Sequence, residues 1–301
     1  TSAPFSTGIS NTAVGYAALD AFTTGGSNVA VGNQALSSLT TAEYNTGIGD
    51  HAGVGITTGG SNVAIGRATL YNLTTGTQNT AVGKDAGANV IGSDTTLIGS
   101  EAGEYASGSN NTFVGSDAGK GGTTSAPYSS GQLNTAVGAT ALDNFTTGGS
   151  NTAIGYGTLG NLNTGVSNTA LGRDAGASLS STSYTVLIGQ DAGNTITGTD
   201  PNGAVYIGAF SALVLNGAGN IAIGYSALKV HTTGARNTAI GYEAMYDTDA
   251  GSTSLGSSDN IFMGYRAGSG TWADAASNYN IGIGNYALDG ALNGALYNIA
   301  M

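Results

Sequence analysis

The stretch that decides the fold is residues 28–49, NVAVGNQALSSLTTAEYNTGIG, which holds one full repeat and the start of the next. The motif is Asn, then Thr, Val or Ile, then an uncharged residue that is mostly Ala, then an aliphatic residue and Gly. It recurs sixteen times, most often 17 residues apart, and Asn is replaced in three copies by Thr95, Thr185 and Ala204. A unit this short cannot bury a core of its own, so neighbouring units must stack and share one. The closing glycines are Gly15, Gly32, Gly49, Gly66, Gly83, Gly99, Gly115, Gly138, Gly155, Gly172, Gly189, Gly208, Gly224, Gly241, Gly264 and Gly284.

Composition excludes several classes of protein. The chain has 52 glycines among 301 residues, only 8% charged residues and a net charge of -11, whereas average domains carry roughly 25% charged residues. Nucleic acid is bound by basic surfaces, so no nucleic-acid partner is expected. The sequence contains no apolar run of about 18 residues, so no membrane span is predicted. The absence of cysteine excludes disulfides and thiolate metal sites.

The motif and its flanks predict a short strand between turns. β-Branched residues favour strands, whereas Gly tolerates positive φ and Asn bonds readily to nearby backbone. With one repeat per coil, successive strands pair in parallel about 4.8 Å apart. The sequence therefore predicts an all-β parallel β-solenoid, or β-roll, of about 16 coils with a 17-residue repeat. The spacing of three between Leu36 and Leu39, after the motif, suits a tight helical turn or a bend.

Alternation along the strand separates two faces. We expect the always-aliphatic face, Val14 and Thr12 in the first copy, to fill the coil interior. The Asn residues of successive coils are expected to stack as an amide ladder that satisfies their donors and acceptors. The structural positions of the repeat are Asn11, Gly15, Asn28, Gly32, Asn45, Gly49, Asn62, Gly66, Asn79, Gly83, Asn134, Gly138, Asn151 and Gly155.

The residue two before the glycine is never charged. A strand that is apolar on both faces is usually buried on both, so we expect this second face to pack against another chain in a parallel homotrimer. The alternative is an exposed alanine stripe on a monomer. The predicted inter-chain residues are Ala13, Ala30, Ala64, Ala81, Ala136, Ala153, Ala170, Ala222 and Ala239.

A longer period overlies the short one, because residues 1–27 match residues 124–150 at 20 of 27 positions. This predicts a first seven-coil unit at 1–123, a second at 124–246 and a partial third at 247–301. The chain begins at Thr1 and stops inside a seventeenth motif at 298–301, so we expect it to be a piece of a longer protein. Uncapped solenoid ends would also permit end-to-end stacking of subunits.

The runs Asn134-Thr135-Ala136-Val137-Gly138 and Asn220-Ile221-Ala222-Ile223-Gly224 resemble the head repeats of YadA-type trimeric autotransporter adhesins and the NTAVG-rich shafts of phage tail-fibre-like proteins. The resemblance covers nearly the whole chain. It implies a left-handed β-roll, trimeric assembly, and attachment to a host or a surface. Two features depart from it: the adhesin repeats are usually shorter, and no coiled-coil stalk, membrane anchor or tail-fibre chaperone segment is present in this sequence.

Catalytic patterns are weak, and the sequence predicts no enzyme and no organic cofactor. General acid–base chemistry needs a base with a partner in reach, but His51 and His231 lie about ten coils apart and are expected at the surface. Acidic residues share one place in successive coils, where stacked like charges repel. They are expected to lie on a solvated edge or to be offset by a neighbouring base such as Lys84 or Arg173; a bound Ca²⁺ is a weaker alternative. The Ca²⁺ candidates are Asp85, Glu101, Asp117, Asp174 and Asp191.

Three further patterns bear on binding. Pairs of threonines recur in one part of the coil and could order water, as ice-binding solenoids do. Tyrosines often follow the glycine, where they brace coils or contact ligands such as glycans. Two longer connections, at residues 119–133 and 247–259, would be the first place to look for ligand contacts. The threonine pairs are 23–24, 40–41, 57–58, 74–75, 146–147 and 232–233, and the tyrosines are Tyr16, Tyr156, Tyr225, Tyr242 and Tyr265.

These patterns together predict an extracellular fibrous protein, structural or adhesive, located at a cell surface or in a virion tail. Its partners would be further copies of itself and a cell-surface glycan or protein receptor. The alternative is a self-assembling filament without a receptor, and a lesser alternative is an ice-binding threonine array.

Overall fold

The computed structural model describes residues 7–124, 128–195, 202–215, 217–231, 233–248, 256–272, 275–292 and 294–301. In these ranges the regular structure consists of short β-strands, and no helix occurs. The strands are β1 Thr12–Val14, β2 Val29–Val31, β3 Thr46–Ile48, β4 Val63–Ile65, β5 Thr80–Val82, β6 Thr96–Ile98, β7 Thr112–Val114, β8 Thr135–Val137, β9 Thr152–Ile154, β10 Thr169–Leu171, β11 Val186–Ile188, β12 Val205–Ile207, β13 Ile221–Ile223, β14 Thr238–Ile240, β15 Ile261–Met263, β16 Ile281–Ile283 and β17 Ile299–Ala300.

The chain divides into two compact units, Thr1–Ser150 and Asn151–Met301. In the first unit β1 to β8 pair in sequence order, and every pairing is parallel. In the second unit β9 to β17 do the same. The motif keeps its register from coil to coil, so that Ala13 lies opposite Ala30. The predicted parallel β-solenoid with one repeat per coil is therefore confirmed.

The predicted boundaries at 123/124 and 246/247 are not breaks in the fold. The pairing of β7 with β8 places Thr112 opposite Thr135 across the first boundary. The pairing of β14 with β15 places Thr238 opposite Ile261 across the second. The segments 1–123, 124–246 and 247–301 are thus related as sequence, but within each compact unit the coils pair without regard to the longer period.

The glycine that closes each strand is required by the backbone. Gly32 has φ of +136°, a conformation that side chains strongly disfavour, and a Cβ there would overlap the carbonyl oxygen of Gly49 in the next coil. The predicted structural glycines Gly15, Gly32, Gly49, Gly66, Gly83, Gly138 and Gly155 all have φ between +129° and +138°. Each glycine therefore turns the chain off the strand and lets adjacent coils approach.

The predicted asparagine ladder is present and lies inside the coil. Asn62 is 0% exposed. Its Nδ2 donates to Asn45 Oδ1 at 3.1 Å and, across the coil, to the Gly76 carbonyl at 2.9 Å. Its Oδ1 accepts from both the backbone N and the Nδ2 of Asn79 at 3.0 Å. Each such amide joins two coils and also braces its own coil, which explains why Asn recurs at this place.

The predicted assignment of the two strand faces is wrong. The alanine face points into the coil: Ala30, Ala64, Ala81, Ala136, Ala153, Ala170, Ala222 and Ala239 are each 0% exposed within the single chain. Ala13 is exposed because it belongs to the first coil, β1, whose three residues are all exposed. These alanines are therefore not inter-chain contacts. The narrow interior is the reason, since a Cβ at Gly47, in this row, would come within 2.7 Å of Leu36 Cγ.

The half-coil after the glycine is a series of overlapping β-turns and not a helix. Residues two and four after the glycine, such as Gln34 and Leu36, have positive φ in every coil. Because the sign of φ alternates, the Gln34 amide donates to the preceding coil at Tyr16 O (2.8 Å), whereas the Leu36 amide donates to the following coil at Ala52 O (3.0 Å). Asp and Gly tolerate positive φ well, which explains the Asp-Ala-Gly form of this segment.

Large and small residues alternate between two interior places. Leu97 replaces alanine in β6, and glycines stand where other coils carry leucine: a Cβ on Gly87 or Gly103 would lie 2.6 or 2.7 Å from its methyl groups. Phe113 and Gly119 form a similar pair, as do Phe262 and Gly268. A large strand residue is therefore accompanied by a small turn residue in the same coil, which keeps the interior from being overfilled.

Candidate functional site

The outer face of the strands is a candidate interaction surface, called here the aliphatic face. It consists of the Thr, Val or Ile before the inward residue and the aliphatic residue after it. On the single chain many of these side chains are exposed, for example Ile48 at 38% and Leu171 at 45%. Parallel sheets are normally covered on both faces, and contiguous exposed apolar surface marks interaction sites. In the row before the glycine the face comprises Val14, Val31, Ile48, Ile65, Val82, Ile98, Val114 and Val137 in the first unit, and Ile154, Leu171, Ile188, Ile207, Ile223, Ile240, Met263 and Ile283 in the second.

A second surface, the charged column, lies in the first unit just after the strand-closing glycines. Lys84 Nζ lies 3.0 Å from Asp85 Oδ2 and 3.3 Å from Glu101 Oε1. Lys120 Nζ lies 2.6 Å from Glu101 Oε2 and 3.0 Å from Asp117 Oδ1. Each lysine thus lies between a carboxylate of its own coil and Glu101 of the adjacent coil, and the stacked acids do not face one another unscreened. Arg67 and Glu104 extend the network at 3.2 and 3.7 Å.

The network shifts the pKa values of its members. Burial acts to raise the pKa of Asp117, but hydrogen bonds from Lys120 and Ser116 outweigh it and the pKa is lowered. A hydrogen bond to Glu101 is the largest cause that raises the pKa of Lys120. Hydrogen bonds to Asp85 and Glu101 raise the pKa of Lys84. All three shifts favour the charged forms, as expected for opposite charges within hydrogen-bond reach.

Neighbouring bases therefore accompany the predicted Ca²⁺ candidates. Asp85, Glu101 and Asp117 belong to the charged column. In the second unit Arg173 lies 3.7 Å from Asp174 and 3.5 Å from Asp191. Within the ranges that the structure describes, no group of three or more His, Cys, Asp or Glu side chains is arranged to hold a metal ion. The alternative in which nearby bases offset the acidic row fits this geometry, and the Ca²⁺ hypothesis gains no support from it.

A third surface, the aromatic column, lies in the second unit. Tyr225 and Tyr242 stack with ring centroids 5.2 Å apart and planes 14° apart, and Tyr242 and Tyr265 stack at 5.3 Å and 11°. Phe210 and Tyr286 close the row with rings turned by 82° and 72°. The four tyrosines are 41–52% exposed.

Polar groups flank the aromatic column. The charge of the neighbouring Glu243 carboxylate raises the pKa of Tyr242. Arg266 Nε lies 3.4 Å from Glu243 Oε2. Lys229 Nζ lies 5.6 Å from the Phe210 ring centroid and 5.5 Å from that of Tyr246, within cation–π range. The column is thus an apolar strip with hydrogen-bonding groups along its edges.

Only part of the threonine array is free to meet solvent. Thr23, Thr40 and Thr57 each donate the side-chain hydroxyl to a backbone carbonyl of the next coil at 3.1 Å. The second member of each pair, such as Thr41 or Thr58, is exposed. Thr232 lies outside the described residues. One row of hydroxyls therefore holds coils together, and the exposed array is a single row wide.

Of the two histidines that were predicted to lie at the surface, one is partly exposed and the other is buried. His51 lies in the first unit, is partly exposed and contacts Asp50 at 2.9 Å. His231 lies in the second unit and is 0% exposed, so the surface prediction for it is wrong. Its Nδ1 is 2.8 Å from Thr248 Oγ1 and its Nε2 is 3.1 Å from Asn237 Nδ2. Corresponding places in other coils hold apolar residues such as Leu39 and Leu73, which explains its inward position.

Sequence reasoning found some members of these surfaces and missed others. It singled out Tyr225, Tyr242 and Tyr265, but Phe210 and Tyr286 stand two residues after the glycine and escaped the pattern. It named the acidic row without the bases Arg67 and Lys120, which reach it from adjacent positions. The predicted recognition loops at 119–133 and 247–259 fall partly at 125–127 and 249–255, outside the described residues.

Comparison with protein-family models, curated proteins and solved structures finds no significant match to this chain. The part of the chain that the structure describes contains no helix long and apolar enough to span a membrane.

Proposed function

We propose that this chain is an extracellular fibrous protein, the shaft or head of a trimeric adhesin or phage tail fibre, located at a cell surface or in a virion tail. The observation that carries the proposal is the aliphatic face. Every full repeat adds outward-facing aliphatic side chains to it, and a single chain leaves them partly exposed. A monomeric rod has no need of such a face, because threonine or charged residues would serve strands equally well on a solvent side.

Further copies of the same chain are the partner that fits this surface best. The face repeats once per coil along each unit, so a partner must present apolar residues with the same period. A second and third copy do so by construction, and identical chains close most simply by rotational symmetry. The resemblance to trimeric heads favours three copies. The proposed homotrimer thus buries the aliphatic face between chains, whereas the sequence had predicted the alanine face for this role.

A fibre of this kind acts mechanically. It holds repeated weak sites at a distance from its anchor, so that avidity replaces affinity for a single site. No reaction chemistry is proposed, and cofactors are not needed for this role.

The test is the absolute mass of the purified chain by light scattering, with particles from the same sample imaged. We expect about three times 29.4 kDa. The variant Leu171→Asp with Ile154→Asp places two charges on the aliphatic face and should lower the mass to one chain while the fold persists. Ser180→Asp adds a charge to an exposed turn position of the coil that contains Leu171 and should leave the trimer intact.

Other outcomes decide between the alternatives. A wild-type mass of one chain contradicts the trimer. Open-ended fibres would favour the self-assembling filament, in which growth is itself the function. The ice-binding alternative requires thermal hysteresis, and the engaged hydroxyls of Thr23, Thr40 and Thr57 speak against a wide threonine array.

A further inference from the structure

The aromatic column is not needed by the fold. Its three stacked tyrosines directly follow strand-closing glycines, and three coils of the first unit place Lys84, Ser100 or Ser116 there. Those coils form the same strands with the same register. Stacked rings stabilise neighbouring coils by about 0.5–1.5 kcal/mol a pair, but these three coils carry no ring at this position. The aromatic residues that five successive coils place on one side of the second unit therefore need another explanation.

The rings leave usable surface. Stacked carbon atoms make contact at about 3.5–4.0 Å, whereas the ring centroids lie 5.2 and 5.3 Å apart. The nearly parallel rings are therefore offset-stacked, and part of each ring face is left uncovered by its neighbour. The backbone fixes this spacing, because the carbonyls of Tyr225, Tyr242 and Tyr265 accept hydrogen bonds from the next coil at 2.9 Å.

Backbone pairing also argues against a peptide strand as the ligand. An added strand needs free backbone donors and acceptors at an edge. Here the carbonyls of the stacked tyrosines are already bonded to Glu243, Arg266 and Tyr286 amides. The column thus offers ring surface, phenol hydroxyls and flanking charges, but no backbone edge.

From this geometry we infer that the aromatic column is a binding site for a neutral, linear glycan lying along the coil axis. Sugar rings present C–H faces that pack on aromatic rings and hydroxyls that bond to phenols, carboxylates and guanidinium groups. The step between rings is close to the length of one residue in an extended β-1,4-linked glycan, so successive sugars meet successive coils. The net charge of -11 disfavours polyanions. The inference deepens the proposed adhesive function and rests on it.

The experiment measures binding of β-1,4-linked glucose and N-acetylglucosamine oligomers, from disaccharide to hexasaccharide, by calorimetry. We expect affinity to rise with each sugar up to the pentasaccharide and then to level off, because the column has five rings. Tyr242→Ser introduces the residue of Ser100 and Ser116 and should weaken pentasaccharide binding about five- to tenfold. Tyr242→Ser with Tyr265→Ser should abolish detectable binding.

The matched control is Tyr156→Ser. Tyr156 directly follows its glycine, is 59% exposed, and takes part in no ring contact among the described residues. Binding should be unchanged in this variant, and circular dichroism should show all variants folded. Absence of binding by both oligomer series overturns the inference, as does affinity that is independent of length or of Tyr242.

The mass of the same samples separates the two proposals. A trimer that binds neither oligomer series leaves the fibre proposal standing and removes the glycan site. A monomer whose binding is lost on Tyr242→Ser keeps the site and removes the trimer.

Discussion

The inside and the outside of the coil follow different rules. Inside, similar residues return in both units: asparagine before most strands, an uncharged residue that is most often alanine at the strand centre, and usually alanine three residues after the glycine. Outside, one place carries the charged column in the first unit and the aromatic column in the second. The constant interior maintains the solenoid, whereas the variable exterior is free to specialise. We therefore expect the functional sites of this protein on the outer surface of the coil.

The largest expected difference between inside and outside comes from the asparagine ladder. Asn62→Leu keeps the side-chain size but leaves the Asn79 backbone N–H and the Gly76 carbonyl without partners, and it removes one of the two acceptors of Asn79 Nδ2. We expect a loss of roughly 3–5 kcal/mol in unfolding free energy, since each buried group left without a partner costs about 1–3 kcal/mol. Urea unfolding followed by circular dichroism measures it.

Two controls accompany this substitution. Asn62→Thr should cost less, because Thr95 and Thr185 hold this place and donate to the preceding asparagine at 2.7 Å. Val63→Thr, one residue on but facing outwards, should change stability by no more than about 0.5 kcal/mol. Equal effects of Asn62→Leu and Val63→Thr would contradict the inward orientation of the asparagine.

The exchange of large and small residues inside the coil gives the next largest effect. Ala64→Leu overfills a coil that already holds Leu70 and should destabilise by about 1–3 kcal/mol. Adding Leu70→Gly recreates the arrangement of Leu97 and Gly103. The double variant should therefore be more stable than the sum of the single effects by about 1–2 kcal/mol. Leu19→Gly, at the corresponding turn position several coils away, should combine additively with Ala64→Leu.

A smaller effect is expected on the outside, from the charged column. Lys120→Met leaves Glu101, Asp117 and Glu104 without their shared cation and should destabilise by roughly 1 kcal/mol, the upper range for partly exposed ion pairs. The loss should shrink at high salt. Thermal melting of wild type and variant at low and high salt checks this, and an unchanged difference would contradict an electrostatic origin.

The difference in stability between wild type and Lys120→Met has a predicted pH dependence. The pKa of Asp117 is lowered, so its contribution is present above the ordinary value of 3.8 and is lost as pH falls through the lowered pKa. The pKa of Lys120 is raised, so its contribution is present below 10.5 and is lost as pH rises through the raised pKa. The melting difference between wild type and Lys120→Met should therefore be constant across neutral pH and shrink towards both extremes.

The smallest expected effect concerns metal. Because bases already accompany Asp85, Glu101 and Asp117, removal of divalent cations should leave the melting temperature unchanged. Melting with a chelator and with added Ca²⁺ measures this. A rise of several degrees with Ca²⁺ would revive the acidic row as a cation site.

The sequence by itself determined the coil, its length and its hydrogen-bonding residues. Few other residues can replace Asn and Gly at these positions, and their 17-residue recurrence requires stacked parallel strands. Strand alternation also separated two faces, but it could not say which of them points inwards, because both are apolar. That depends on the volume left inside the coil, where Leu36 leaves no room for a Cβ at Gly47. Likewise, Phe210 and Tyr286 join the aromatic column only because positive φ values in the turns carry their side chains to it. Tertiary structure decided these points because interior volume and side-chain direction arise only when coils stack.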